Sequence, residues 1–450
     1  MAAQRLTRNA HGLEGRLLIL WSGVLLALGL SLAAALSGLL LDGDATVPGV
    51  SAAEEAAARE QRIAFFEGRA AVDPIDFLSL NNLAAEYLQR ARETGDVADY
   101  ARAEQAASRS VEILPVDNYA GLTLLASVRL VQHDFAAVEN LAQRALPLKP
   151  LGATAYGLLG DAQLGLGRYD EAFENYDKMR GIDAGLPALS RLANHAFITG
   201  DRFDSIDLWK QSIAKARGLP VENQAWAHVQ LGVTYFAYGH HGDAAKEHER
   251  ALKLSPDYVH ALAGLAQTRA AQERYDEAID LYTRAVSKLP QPQYVAALGD
   301  TYAAAGRNAE AQQQYALVEA IAALYEANGV NTDLQISMFY ADHDRNVGQA
   351  LTMAQAAYEA GPSVYAADAL AWALFKNDRY PEAAAMSEVA LAQGTPEASF
   401  LYHAALIRLA NGDEAGASDY LAQALDLNPN FAPVHAETAR ELLAGLETKQ

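Results

Sequence analysis

The chain contains no cysteine. Disulfides, thiolate metal sites, covalent haem attachment and a lipidated N-terminal Cys are therefore excluded, while the redox character of the compartment stays open. Basic residues are also scarce: 35 Lys and Arg stand against 56 Asp and Glu, a formal net charge of −21. So acidic a chain repels phosphate backbones instead of releasing their counterions, and nucleic acid is not expected as a partner. A nucleophile elbow, a Walker sequence and a dinucleotide glycine pattern are missing too. No catalytic activity, cofactor or metal is assigned.

The first feature present is one long apolar run. Residues 1–16 carry Arg5, Arg8 and Arg16 against Glu14, and Leu17 to Leu41 then pass 25 residues without a charge. A helix of that length reaches about 37 Å, enough to cross a hydrocarbon core of about 30 Å with some tilt. The run exceeds the apolar core of a signal peptide, so it is predicted to be an uncleaved signal-anchor. The basic end stays cytoplasmic, and the rest of the chain lies on the extracytoplasmic side. Ala33-Ala34-Ala35 offers the alternative of cleavage and a soluble periplasmic or secreted product. Residues 42–50 read as a linker, and Ser51 with Glu54 forms a capping-box signal opening a helix within 51–75.

A repeating unit organises the remainder of the chain, most plainly at Ala225 to Pro256. Counting from Ala225, Leu231, Gly232 and Tyr235 fall at places 7, 8 and 11, with Gly239 at 15, Ala244 at 20, Ala251 at 27 and Pro256 at 32. Small residues at places 8, 20 and 27 let two antiparallel helices approach, Gly fits a tight turn, and Pro stops the second helix. The frame recurs from Ala153 (Leu159, Gly160, Gly167, Ala172), Val259 (Leu265, Ala266, Ala278, Pro290) and Pro292 (Leu298, Gly299, Gly306, Ala311). It resembles the tetratricopeptide repeat. About ten copies are counted over 76–430, with irregular ones near Leu186–Pro220 and Asn331–Pro362, and 431–450 supplies a terminal capping helix and tail. The resemblance implies an all-α, right-handed α-solenoid of helix hairpins, preceded by one transmembrane helix. The array is expected to be elongated, its stability a sum of neighbour contacts.

Such arrays are binding scaffolds, so the resemblance implies a partner protein or extended peptide held in the concave groove. Places 2, 5, 9, 12 and 13 of the first helix line that groove in the family. Carried onto this chain they include Asn81, Asp161, Asn194, Phe197, Trp226, Phe236, His260, Gln267, Asp300, Phe339, Asp342, Tyr365, Asp368, Trp372, Phe375 and Lys376. Chief among them are Trp226, Phe236, His260, Asp300, Phe339, Tyr365, Asp368, Trp372 and Phe375, with Trp372 expected as an anchor. Lys376 is the only Lys or Arg in the set. This departs from family members that grip a C-terminal carboxylate, and it suits a partner that is not acidic. The same aromatics could instead pack between adjacent helices.

Two histidine-bearing places invite other chemistry. His228 and His248 stand at places 4 and 24, which should face each other, so an enzyme accessory or a metal- or pH-responsive pair is an alternative to a merely packed pair. Asp342-His343-Asp344 lacks the Gly and distal Glu of a calcium loop and reads as a solvated loop.

Overall fold

The computed structural model describes residues 51–96, 98–327 and 332–448. The segments 1–16, 17–41 and 42–50, and with them the expected transmembrane helix and linker, lie outside the described residues. Among those described, no helix is long and apolar enough to cross a membrane.

Helix α1 (Ala52–Val72) opens with the capping box read from the sequence: the Ser51 side chain accepts from the Glu54 N–H, and Glu54 accepts in return from Ser51. Ten hairpins come after it. Repeats 1 to 3 are α2 (Phe77–Thr94) with α3 (Ala98–Ile113), α4 (Tyr119–Val131) with α5 (Phe135–Ala145), and α6 (Ala153–Gly165) with α7 (Tyr169–Ile182). Repeats 4 to 6 are α8 (Leu186–Ile198) with α9 (Arg202–Ala216), α10 (Val221–Ala237) with α11 (His241–Leu254), and α12 (Val259–Ala271) with α13 (Tyr275–Lys288). Repeats 7 and 8 are α14 (Pro292–Ala304) with the long α15 (Asn308–Ala327), and α16 (Asp333–Asp342) with α17 (Val347–Ala360). Repeats 9 and 10 are α18 (Val364–Lys376) with α19 (Tyr380–Leu391) and α20 (Ala398–Ala410) with α21 (Glu414–Leu427), and α22 (His435–Glu447) closes the array.

The turn inside every hairpin uses a residue in the left-handed region, and repeat 8 adds a second, Asn346. Six are glycines, Gly95, Gly167, Gly200, Gly239, Gly306 and Gly412; the others are His133, Glu273, Asp344 and Asp378. Left-handed backbone costs a non-glycine residue roughly 1 kcal/mol, which explains why glycine dominates without being obligatory. The small residue at place 8 has an equally local cause. A Cβ on Gly160, Gly232 or Gly299 would stand 2.5–2.6 Å from the ring at place 24 of its own repeat, Tyr176, His248 or Tyr315. The ring of the second helix therefore packs directly on the backbone of the first.

The array is not an open, elongated spring, and that expectation is corrected. The Tyr169 hydroxyl accepts from the Val364 N–H at 2.8 Å, Thr395 donates to the Ile198 carbonyl at 2.6 Å, and Asn428 donates to the Phe236 carbonyl at 2.8 Å. Each bond joins a repeat to a segment well over a hundred residues further along the chain: repeat 3 to the start of α18, repeat 4 to the segment before α20, repeat 5 to the end of α21. His241 and Asn428 pair at 2.9 Å, and Asn430 reaches the Ala271 carbonyl of repeat 6. At Gly200 the fit leaves no room, since a Cβ there would lie 2.6 Å from the Gly394 carbonyl oxygen. Successive superhelical turns thus touch, and distant repeats are coupled as well as neighbours, beyond the nearest-neighbour scheme of simple repeat arrays.

Candidate functional site

Because the turns close on one another, first helices of the middle and C-terminal repeats face an interior. Among the described residues, two cavities lie in it. The larger, about 450 Å³, is walled by Phe236, Phe339, Tyr365, Phe400 and Phe431 and carries Asp300, Asp342, Asp368, Glu397 and His343. The smaller, about 240 Å³, is lined by Trp226, Tyr258, His260, Tyr282 and Tyr294, with the Arg92–Glu222 pair at its edge. Val233, Gln267, Gln293 and Ala297 belong to both linings, so the two are contiguous.

Of the groove residues chosen from the sequence, Trp226 and His260 line the smaller cavity, and Phe236, Asp300, Phe339, Tyr365 and Asp368 line the larger. Their first-helix places are thus brought to one interior by the superhelical twist. Trp372 and Phe375 line neither. Trp372 is 1% exposed, stacked between Phe375 at 4.9 Å and His403 at 4.2 Å, with its indole N–H donated to Asp342. The anchor expected there is corrected to a core side chain, because Phe375 of its own helix and His403 of the next repeat both stack on its ring. Asn81, Asp161, Asn194 and Phe197 are also buried away from the interior, with Asp161 held by Arg191. Lys376 pairs with Asp344 at 2.7 Å, so it leaves the larger lining without a Lys or Arg.

The electrostatics of the larger cavity are those of crowded carboxylates. Burial, reinforced by the charge of Asp368, pushes Glu397 up to about 7. Burial opposes the cation of His343, but Asp300 at 2.7 Å outweighs it and raises its pKa. The Tyr315 hydroxyl also donates to Asp300 at 2.7 Å, which fixes that carboxylate against the wall. In the smaller cavity His260 meets the Tyr294 hydroxyl at 2.7 Å and burial lowers its pKa. Sequence reasoning missed Glu397, Phe400, Tyr258 and Tyr294. They stand at or before the first turn of their first helices, outside the places a groove is usually read from.

The His228 and His248 pair is corrected. His228 meets Glu247 at 2.7 Å, whereas His248 is buried between the backbones at Gly232 and Gly264. Nor is Asp342 part of a solvated loop, since its carboxylate turns inward to the Trp372 indole. Burial lowers the pKa of His248 to about 3. Its folded pKa lies below the unfolded value of about 6.5, so below that pH the unfolded chain takes up a proton the folded chain refuses. Stability from this residue is complete above pH 6.5 and is lost toward pH 3, at roughly 1.4 kcal/mol per pH unit. In urea melts at pH 7.5 and 5.0, His248→Gln should show a smaller acid loss than the parent chain. Equal losses would contradict the assignment.

Two family models described as "Tetratricopeptide repeat" match, one at residues 235–299 and one at residues 123–187 and 369–430. The chain carries tetratricopeptide repeats. Among solved structures, a tetratricopeptide repeat protein from Parabacteroides merdae is 16% identical, with 58% of this chain and 98% of that one covered and a TM-score of 0.34. YrrB, titled a TPR protein with an unusual peptide-binding site, is 16% identical, covering 42% of this chain and 96% of its own at a TM-score of 0.29. The human IFIT1 dimer with PPP-AAAA is 14% identical over 81% of this chain and 94% of that one, TM-score 0.42. No curated protein matches.

Proposed function

We propose that this tetratricopeptide array is a membrane-anchored, extracytoplasmic scaffold that holds an extended segment of a partner protein in the interior of its superhelix. The observation that carries the reading is the larger lining itself: aromatic walls, four carboxylates and no Lys or Arg. Such a surface suits a segment with apolar anchors between basic or neutral flanks, because buried aromatics carry much of the binding energy at interfaces and opposite charge steers encounter. Tetratricopeptide proteins generally mediate protein–protein interaction, which favours a scaffold over an enzyme. Anchorage through residues 17–41 is supported by their 25 uncharged residues behind an Arg-rich start.

A photo-crosslinking side chain tests the site even though the partner is unidentified. Placed at Met338, on the wall of the larger cavity, it should capture a polypeptide from native membranes, whereas at Phe203, which is 84% exposed, it should not. Glu397→Lys should weaken capture about tenfold or more and reduce its salt sensitivity. Capture at Phe203 alone, or capture indifferent to Glu397→Lys, would contradict the reading. The topology has a separate test. A reporter active only outside the cytoplasm, fused after Gln450, should be active, and activity of a cytoplasm-only reporter would contradict it.

A further inference from the structure

We propose that Asp342, His403 and His435 form a binding site for one divalent transition metal of the zinc class, with Asp368 orienting His403. The three residues come from separate elements: Asp342 ends α16, His403 lies in α20 and His435 is the first residue of α22. Their ligating atoms all lie within 4.8 Å of one another, and His403 Nε2 stands 3.9 Å from Asp342 Oδ1. An ion held at about 2.0–2.2 Å by each ligand asks for donors roughly 3.4 Å apart, so the donor separations must shorten by about 0.5 Å between His403 and Asp342 and by at most about 1.4 Å elsewhere.

Two further observations point to a ligand and not to a chance cluster. His403 is 1% exposed, yet its Nε2 has no hydrogen-bond partner. Buried polar atoms are rarely left so, and this one is directed at Asp342. At its other nitrogen, Nδ1 lies 3.0 Å and 3.1 Å from the two oxygens of Asp368, itself buried. A carboxylate there holds the proton on Nδ1 and leaves the lone pair on Nε2, the arrangement that metal-binding histidines use. The supporting shell is equally fixed. The Trp372 indole donates to Asp342 Oδ1 at 2.8 Å and its ring stacks on His403 at 4.2 Å, while His435 stacks on Tyr402 at 4.9 Å.

Two imidazoles and one carboxylate select Zn²⁺, Co²⁺ or Ni²⁺ over Ca²⁺ and Mg²⁺, which take oxygen ligands. A fourth position falls to water or to a group entering the larger cavity, which Asp342 and Asp368 also line. Bound there, the ion would tie repeat 8, repeat 10 and the terminal helix together and stabilise the end of the array in proportion to its occupancy. The site stands on its own geometry and does not require the scaffold reading.

The test uses the full chain, stripped with a chelator, titrated with Zn²⁺ by calorimetry and with Co²⁺ by visible absorption. One ion per chain is expected. His435→Ala, whose residue sits at the end of the array, should weaken binding by about a hundredfold or more, Asp368→Asn by about 10–100-fold, and His228→Ala not at all. Zn²⁺ should raise the melting temperature of the parent chain and not that of His435→Ala. Circular dichroism shows whether each variant is folded, and Asp342→Asn serves as a second ligand variant should His435→Ala lose helix. Absence of one-to-one binding at micromolar ion, or equal binding by the parent, His435→Ala and Asp342→Asn, would overturn the proposal.

Discussion

Trp372→Ala is expected to lose about 3–5 kcal/mol of stability, the range for removing a fully buried tryptophan. The side chain is 1% exposed, flanked by Phe375 and His403, and Lys376 stands 4.7 Å above its ring. Truncation leaves a void between repeats 9 and 10 and deprives Asp342 of its indole donor. Trp372→Phe keeps a stacked ring and should recover much of the loss, though not the hydrogen bond. Hydrogen exchange should localise the damage to α16, α18 and α20, because the neighbours of Trp372 lie there. An unchanged melting temperature, or a loss of partner capture with stability intact, would return Trp372 to the role of an exposed anchor.

A loss of about 3–5 kcal/mol is likewise expected for Arg191→Met, which strands a buried carboxylate. Arg191 in α8 and Asp161 in α6 are both about 1–2% exposed. Arg191 Nε lies 2.9 Å from Asp161 Oδ1 and Nη2 lies 2.6 Å from Oδ2, with the Tyr176 hydroxyl at 3.0 Å and Arg191 Nη1 bound to the Pro187 carbonyl. The pair itself need not stabilise, since two desolvated ions roughly offset their attraction. The double variant Asp161→Leu/Arg191→Met should therefore regain most of the stability that the single one loses. If the double variant were as damaged as Arg191→Met, packing and not an unpaired charge would be the cause.

These residues show how far the sequence carried. Helix periodicity, small residues at places 8 and 20 and the turn glycines all reflect contacts within one hairpin, so they are visible locally. Repeat 8 reads as irregular because, counted from Asn331, Ser337 and Met338 stand at places 7 and 8 in place of Leu and a small residue. Asp161 read as a groove residue for want of any local mark that Arg191, 30 positions on, would claim it. Trp372 stands at a groove place, yet the chain cannot announce that His403 of the next repeat lies flat against it. Closure of the superhelix was the least legible feature. It arises from small rotations summed over several repeats, and bonds such as Asn428 to the Phe236 carbonyl join residues 192 positions apart. The interior cavities and the Asp342, His403 and His435 cluster depend on that summed twist or on repeat-to-repeat stacking, so neither could be read from spacing.

Contact between successive turns is the claim on which the interior depends, and the absence of native cysteine makes it directly measurable. His241 and Asn428, 187 positions apart, meet side chain to side chain at 2.9 Å. In His241→Cys/Asn428→Cys, a short bifunctional thiol reagent in dilute solution should join the two within one chain, giving a faster-migrating monomer that neither single variant forms. If both thiols react with a monofunctional maleimide and yet no intramolecular link forms, the superhelix is open and its turns do not meet.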